Sequence, residues 1–200
     1  MFTGIIEALG TIVRVEPQAG NVHFTISSPI SNELKIDQSV AHQGVCLTVV
    51  ACENSTHTVT AIQETLNKTN LKDWKVGAKV NLERCMQANG RFDGHIVQGH
   101  VDQIAECIER LETDGSWRYT FRYDEALGNV TVEKGSICVN GVSLTVVDSK
   151  LNEFSVAIIP YTFEHTQFNQ LKVGDRVNLE FDIVGKYVQK MLQHRSYVKS

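Results

Sequence analysis

The sequence contains no pair of cysteines spaced as C-x-x-C, and its cysteines are odd in number. An odd count does not suit a disulfide framework, and the missing C-x-x-C spacing argues against a zinc site. We therefore expect reduced thiols, as in a cytoplasmic protein. The five cysteines are Cys46, Cys52, Cys85, Cys107 and Cys138.

The sequence also lacks a recognisable secretion signal and a membrane-spanning segment. Residues 1–7 have no basic region followed by a long apolar run. No later stretch approaches the ~18 apolar residues that a membrane span needs. These absences predict a soluble, cytoplasmic protein with no membrane partner.

An excess of one charge is absent as well. The sequence has 19 lysine and arginine residues and 23 aspartate and glutamate residues, which gives a net charge of −4. The basic residues do not form a stripe along the sequence. Nucleic acids and anionic membrane surfaces are therefore not expected partners. A small polar or anionic ligand is compatible with this balance.

The sequence does contain an internal duplication. Residues 39–83 and 136–180 align without gaps at an offset of 97 positions, with 18 identities in 45 positions. The most similar stretches are SVAHQGVCLTVV at 39–50 and SICVNGVSLTVV at 136–147. A repeat of this length predicts two domains of roughly 90 residues, each large enough for its own core.

Short stretches rich in β-branched residues alternate with turn residues in both halves, which predicts an all-β fold. A closed barrel in each half is favoured, because an open sheet of this size would leave edges to protect. The predicted strands are 11–15, 22–26, 45–50, 58–62, 79–84, 117–122, 142–147, 154–159 and 176–181, with brief helical stretches near 31–34, 66–71 and 163–168.

The boundary between the two domains is predicted in a polar, glycine-containing connection at residues 87–95. This gives a first domain at residues 1–90 and a second at 91–183, followed by a C-terminal segment at 184–200.

A short amphipathic helix is predicted in the C-terminal segment. Its apolar stripe consists of Val184, Tyr187, Val188, Met191 and Leu192. A helix of about ten residues is not stable alone in water. We expect the stripe to pack either on its own barrel or on copies of itself in an oligomer.

Two repeated pairs of small polar residues are candidates for a pocket lining. Alternation along a strand places Cys46 and Thr48 on one face, and the duplicate places Ser143 and Thr145 in the same relation. A thiol titrates near ~8.5, so Cys46 can act as a nucleophile or proton carrier, whereas Ser143 needs a base. Two similar sites with unequal chemistry are therefore predicted.

A glycine stands immediately before each of these strands. Gly44 and Gly141 are predicted to let a planar ligand approach the backbone closely.

The segment GHIVQGHVD at 94–102 contains two histidines and an aspartate. A spacing of five between His95 and His100 suits neither one helical face nor one strand face, so no metal site is predicted. His100 is a candidate proton carrier, because an imidazole pKa near ~6.5 makes both of its forms accessible.

The motifs now collected resemble those of the riboflavin synthase family, over the whole chain. They are MFTGI at 1–5, GVCLTV at 44–49, QETL at 63–66, GHIVQGHVD at 94–102 and GVSLTV at 141–146. The resemblance implies two tandem, closed, six-stranded Greek-key β-barrels that bind lumazines, followed by a short C-terminal α-helix. It further implies a homotrimer built around that helix, with active sites between the first barrel of one subunit and the second barrel of the next.

The reaction implied is the last step of riboflavin biosynthesis, catalysed by a transferase. Two molecules of 6,7-dimethyl-8-ribityllumazine dismutate by transfer of a four-carbon unit, which gives riboflavin and 5-amino-6-(ribitylamino)uracil. No cofactor and no metal are implied. Association with lumazine synthase is left open.

The resemblance also assigns site residues. For catalysis we expect Cys46 and His100, supported by Ser39, Asn81, Ser143, Thr145 and Asp182. Substrate contacts in the first barrel are expected from Gly4, Ile5, Ile6, Cys46, Leu47, Thr48, Thr60, Ala61, Ile62, Gln63, Glu64 and Thr65. Those in the second are expected from Gly99, His100, Val101, Ser143, Leu144, Thr145, Ala157, Ile158, Ile159, Pro160, Tyr161 and Thr162, with Lys134 reaching the neighbouring subunit's site.

The chain departs from the family pattern at two positions. In the second barrel, Tyr161 replaces the glutamate of the Glu-Thr pair that the family usually repeats from the first barrel. Gln98 stands where a small residue is common. The alternative function is a non-catalytic lumazine- or flavin-binding protein of the same fold. Relatives of that kind lose much of the Cys-Leu-Thr and Ser-Leu-Thr pattern, which this chain keeps at 46–48 and 143–145.

Overall fold

The structure is a computed structural model that describes the backbone of residues 1–197 and the side chains of residues 1–192. Twelve strands in this part of the chain form two closed antiparallel barrels. The first barrel contains β1 (Ala8–Gln18), β2 (Asn21–Ser27), β3 (Ser39–His42), β4 (Val45–Glu53), β5 (Thr56–Ala61) and β6 (Lys79–Arg84). The second contains β7 (Gln103–Thr113), β8 (Ser116–Arg122), β9 (Ser136–Val139), β10 (Val142–Ser149), β11 (Glu153–Ile158) and β12 (Arg176–Phe181).

The two barrels have the same topology. Around the first barrel the order is β1-β2-β5-β4-β3-β6, and β7 to β12 take the equivalent places in the second. Three hairpin-connected strands, β3 to β5, lie beside β2, which is a Greek key. The predicted duplicated six-stranded barrel is confirmed.

Helical structure is confined to short connections and the C-terminus. The α-helices are α1 (Gln63–Lys68), α2 (Pro160–His165) and α3 (Ile183–Tyr197), and 3₁₀ turns occur at Ser31–Glu33, Asn70–Asp73, Glu125–Leu127 and Gln167–Asn169. The predicted brief helical stretches are confirmed, although α1 begins three residues earlier than expected. No helix in the described residues is both long enough and apolar enough to cross a membrane.

Side-chain alternation puts one face of each strand into a barrel core. In β4, Val45, Leu47 and Val49 are at most 5% exposed, while Cys46 and Thr48 lie on the outer face. This confirms the predicted sharing of a face. The bulge between Val49 and Ala51 bends the strand and helps the barrel to close.

Three strands, β3, β7 and β9, were not predicted from propensity. The strands β3 and β9 have only four residues each. The strand β7 carries outward-facing charges at Glu106, Glu109 and Glu112, which weaken its apolar signal. Closure of the barrel supplies the partners that stabilise all three.

A two-fold arrangement of amide side chains joins the barrels. The Asn81 side-chain NH₂ donates to the Asn140 carbonyl (2.9 Å), and that of its repeat equivalent Asn178 donates to the Gln43 carbonyl (2.9 Å). The Gln167 N–H donates to Asn81 Oδ1 (2.7 Å), and the other half of the arrangement repeats this bond at Asn178.

The glycines before β4 and β10 serve this contact between barrels. A Cβ on Gly44 would lie 2.7 Å from the Gly141 nitrogen, and one on Gly141 would lie 2.7 Å from the Gly44 nitrogen. The prediction that a planar ligand approaches these glycines was therefore wrong. The opposite barrel's turn occupies that space, and only glycine fits.

The helix α3 is longer than the ten residues expected. Asp182 caps it, because its Oδ1 accepts the Val184 N–H (2.9 Å). Lys186 binds Asp102 (2.7 Å), which ties the helix to the second barrel. Within residues 183–192, the predicted apolar stripe does not pack on the barrel: Val184, Tyr187 and Met191 are 61%, 68% and 66% exposed. Residues 198–200 of the predicted C-terminal segment lie outside the described residues.

Candidate active site

Two extended segments, 2–6 and 97–101, cross between the barrels and bring candidate residues together. They pair with each other through the Phe2 N–H and the Val97 carbonyl (2.7 Å). The first segment then contacts β10, where the Ser143 N–H donates to the Gly4 carbonyl (2.8 Å). The second contacts β4, where the Cys46 N–H donates to the Gly99 carbonyl (2.9 Å).

Gly4 and Gly99 are required for these contacts. Both have left-handed backbone conformations, with φ of +78° and +79°. A Cβ on Gly4 would lie 2.6 Å from the Ser143 Cβ, and a Cβ on Gly99 would lie 2.6 Å from the Cys46 Cβ. Either side chain would push the crossing segment off the strand.

Each crossing segment packs against the barrel opposite to the one to which its residues were assigned. Ile6 packs against the second core, although Gly4 to Ile6 were assigned to the first barrel. Val101 packs against the first core, although Gly99 to Val101 were assigned to the second. The equivalence of Gly4 and Gly99 in the repeat could not show which barrel each segment contacts.

The group at the first barrel consists of Cys46, Ser39, Thr48 and the crossing residues His100 and Val101. Ser39 pairs with Thr48 across the β3–β4 ladder. Burial raises the pKa of the Cys46 thiol, and a hydrogen bond with the Ser39 side chain partly opposes this rise. Cys46 is therefore a neutral thiol at pH 7, suited to carrying a proton. The His100 side chain is exposed, and His100 directly follows Gly99, whose carbonyl accepts the Cys46 N–H.

The group at the second barrel contains a histidine that sequence reasoning passed over as a site residue. His95 Nδ1 lies 2.6 Å from the Ser143 hydroxyl. Burial lowers the pKa of His95, against the effect of the negative charge on Asp182. His95 is thus neutral at pH 7 and can accept the Ser143 proton. The base that Ser143 was expected to need is present, and its only sequence signal was the Gly-His pair at 94–95.

The remaining predicted contacts surround these two groups unevenly. Leu47, Ala61 and Ile158 point into the cores, with at most 5% exposure, so only their backbones can reach a ligand. Thr60 bonds His23 (2.8 Å between Oγ1 and Nδ1). Exposed or partly exposed side chains are those of Ile5, Ile62, Gln63, Glu64, Thr65, Leu144, Thr145, Ala157, Ile159, Pro160, Tyr161 and Thr162.

Three predicted residues have distinctive placements. Asn81 is buried between the barrels, where its side-chain oxygen and nitrogen both form hydrogen bonds to the second barrel, so it does not join either group. Tyr161 is exposed and stacks on His165, with ring centroids 4.1 Å apart. Lys134 is exposed on a left-handed turn with φ of +65°.

Side chains of both groups reach the surface: Thr48 and His100 are exposed at the first barrel, and Thr145 is exposed at the second. A cavity of about 590 Å³ lies on the outer surface of the second barrel and is lined by residues such as Arg118, Thr120 and Asp148. It contains none of the predicted site residues.

The comparisons with known proteins agree with this double-barrel architecture. A family model described as "Lumazine binding domain" matches the chain twice, at residues 3–85 and 98–182. A solved structure of LumP complexed with riboflavin has a TM-score of 0.83 at 22% identity and covers 90% of this chain and 98% of that one. LumP complexed with 6,7-dimethyl-8-(1'-D-ribityl) lumazine gives 0.83 at 21% identity, with 90% and 99% covered. At such identities the likeness shows a shared fold.

Closer sequence relatives are riboflavin synthases. That of Actinobacillus pleuropneumoniae is 42% identical over 193 residues, which cover 96% of this chain and 90% of the relative. That of Bacillus subtilis is 41% identical with the same coverage. With a family model that matches both barrels and relatives that match nearly the whole length, the chain belongs to the riboflavin synthase family of lumazine-binding proteins.

Proposed function

We propose that this chain catalyses the dismutation of two 6,7-dimethyl-8-ribityllumazine molecules to riboflavin and 5-amino-6-(ribitylamino)uracil. The observation that carries the proposal is the presence of two similar but unequal groups, one on each barrel, in a chain of this family. One group holds Cys46 and the other Ser143 with His95. A duplicated site can hold two copies of one substrate, and sequence divergence gives them donor and acceptor roles.

The chemistry asks for proton transfer and for alignment of two rings. The 7-methyl group of one lumazine loses a proton and a nucleophile adds at C7 of the other. Ring opening and elimination then release the four-carbon unit from the donor and complete its transfer to the acceptor. We assign the proton transfers to Cys46 and His100 on one side and to the Ser143–His95 pair on the other. The 2.6 Å distance between Ser143 and His95 and the raised pKa of the Cys46 thiol support this assignment. Holding the rings face to face supplies several kcal/mol of barrier lowering.

The site is completed by a second subunit in a homotrimer. Side chains of both groups reach the surface of one chain, and the stripe Val184, Tyr187, Val188, Met191 and Leu192 is exposed on α3. Pairing the first barrel of one subunit with the second barrel of the next would enclose the rings. Lys134 lies on an exposed turn from which it can reach that neighbouring site.

The chain divides into barrels at residues 1–90 and 91–183 and a trimerisation segment at 184–200. All five cysteines are free thiols, which suits the reducing cytoplasm. No cofactor is required. Association with lumazine synthase is left open.

The test is to mix the pure protein with 6,7-dimethyl-8-ribityllumazine and EDTA, and to follow riboflavin by absorbance and chromatography. Riboflavin at half the amount of lumazine consumed supports the dismutation without a metal. Tight binding without riboflavin would favour the non-catalytic lumazine-binding alternative, and Tyr161 and Gln98 would then be the first positions to change.

A further inference from the structure

Two buried carboxylates hold the crossing segments in place. Glu83 on β6 is 4% exposed and Glu180 on β12 is 3% exposed. Glu83 accepts the Thr3 N–H (2.6 Å), the Thr3 hydroxyl (2.7 Å) and the Gly4 N–H (2.9 Å). The two residues are equivalent in the repeat, at an offset of 97 positions.

Glu180 makes a similar set of bonds to the second crossing segment. It accepts the N–H groups of Gln98 (2.6 Å), Gly99 (2.8 Å) and His100 (2.8 Å). Bonds from backbone N–H groups to a carboxylate are stronger than those between neutral groups. Three consecutive donors on one carboxylate fix the direction of the chain at His100.

These carboxylates act across the boundary between the barrels. Glu83 belongs to the first barrel, but the segment it holds bonds to Ser143 of the second through Gly4. Glu180 belongs to the second barrel, but the segment it holds bonds to Cys46 of the first through Gly99. The crossing segments have no regular ladder partner on this side, so their N–H groups need these side-chain acceptors.

We propose that Glu180 is a positioning residue for the first-barrel site and Glu83 a positioning residue for the second-barrel site. Each barrel thereby completes the site on the other. Glu180 sets where His100 and Val101 stand beside Cys46, and Glu83 sets where Ile5 and Ile6 stand beside Ser143. Neither carboxylate touches substrate. The identity of the ligand rests on the proposed function.

The test compares Glu180→Gln with Glu83→Gln by ligand protection of one thiol. Cys46 is alkylated with iodoacetamide in the presence of increasing 6,7-dimethyl-8-ribityllumazine, and its modification is located by peptide mass spectrometry. An amide turns a donor toward the backbone N–H groups, so Glu180→Gln should raise the lumazine concentration for half-protection about tenfold. Glu83→Gln should change it less than about twofold, while turnover falls in both variants.

Glu153→Gln is the matched control, because Glu153 pairs with Arg122 on the surface of the second barrel. It should leave protection and turnover unchanged. Equal loss of Cys46 protection in Glu180→Gln and Glu83→Gln would indicate general loosening and overturn the crossed positioning, as would no loss in Glu180→Gln. The assay reads binding, so it remains informative even if the wild-type protein forms no riboflavin.

A measurement on the wild-type protein covers the case in which the variants do not fold. Hydrogen exchange should show the N–H groups of Gln98, Gly99 and His100 protected as strongly as those of β12. Exchange as fast as that of an exposed loop would overturn the proposed role of Glu180.

Discussion

At the scale of single residues, the repeat conceals unequal chemistry. Cys46 and Ser143 occupy equivalent positions, yet the Ser143 hydroxyl lies 2.6 Å from His95 Nδ1, while the Cys46 thiol interacts with the Ser39 side chain, which partly opposes the rise in its pKa. The raised pKa of Cys46 and the lowered pKa of His95 both result from burial. One group therefore offers a neutral acid and the other a neutral base, which suits two substrate molecules with different roles.

Replacing His95 by Gln should lower kcat by at least about tenfold, because loss of a positioned proton acceptor costs ~10²-fold or more. The change in KM should stay within about twofold. Steady-state kinetics of His95→Gln, Ser143→Ala and the double variant form a cycle. If the two residues act as a pair, the double variant is no slower than the slower single variant. Additive losses would contradict the pairing.

At the scale of elements, the crossing segments depend on two glycines with tight surroundings. We expect Gly99→Ala to destabilise the protein by about 3 kcal/mol, since left-handed strain costs ~1–2 kcal/mol and the contact with Cys46 adds to it. Gly77 is the matched control, because its φ is +91° but no atom lies near its missing Cβ. Urea unfolding should show the smaller loss, about 1 kcal/mol, for Gly77→Ala.

The exposed face of α3 makes a prediction about assembly. Introducing a charge into the apolar stripe, as in Val188→Asp, should convert the proposed trimer to monomers and abolish turnover, because the proposed assembly would bury that charge between helices. Lys190→Asp changes the charge on the polar side and should leave the trimer intact. Sedimentation velocity gives both results. A Val188→Asp protein that remains trimeric would show that another surface joins the subunits.

At the scale of the whole molecule, the two barrels should respond differently to acid. In the first core, His42 and His57 are fully buried and joined by a 2.8 Å bond between their Nε2 atoms. His42 Nδ1 donates to the Val40 carbonyl (3.0 Å) and His57 Nδ1 accepts from Ser31 (2.8 Å), which suits two neutral rings. Burial lowers the pKa of His42 to about 3 and that of His57 to about 4.

These lowered values make the folded state sensitive to acid. Below pH 6.5, His42 and His57 take up protons in the unfolded chain but stay neutral in the folded core. Their contribution to the free energy of unfolding is therefore fully present above pH 6.5 and is lost as the pH falls toward 4. Each histidine contributes roughly 1.4 kcal/mol per pH unit in this window. The His42→Val, His57→Phe double variant carries the residues of the second barrel, Val139 and Phe154. Urea unfolding gives the loss of unfolding free energy between pH 7 and pH 5. This loss should be at least about 2 kcal/mol smaller in the variant than in the wild-type protein.

Much of the fold could be predicted from the sequence, because its signals are local or repeated. Alternation in β4 and β10 gave the inward and outward faces, and the constant offset of 97 positions gave the duplication. Helical spacing gave the apolar stripe of α3. The short strands β3 and β9 could not be predicted, because they are stabilised by neighbours distant in sequence and not by their own composition.

The sequence by itself determined that two similar barrels exist and which small polar residues stand on their outer faces, because both follow from a repeat and from the two-residue period of a strand. Only the tertiary structure decided which segment serves which barrel. The crossing at Phe2 and Val97, the approach of Gly44 to Gly141 and the bond between His95 and Ser143 are contacts between residues far apart in the chain. Such contacts depend on how two closed barrels pack together, and no local pattern encodes them.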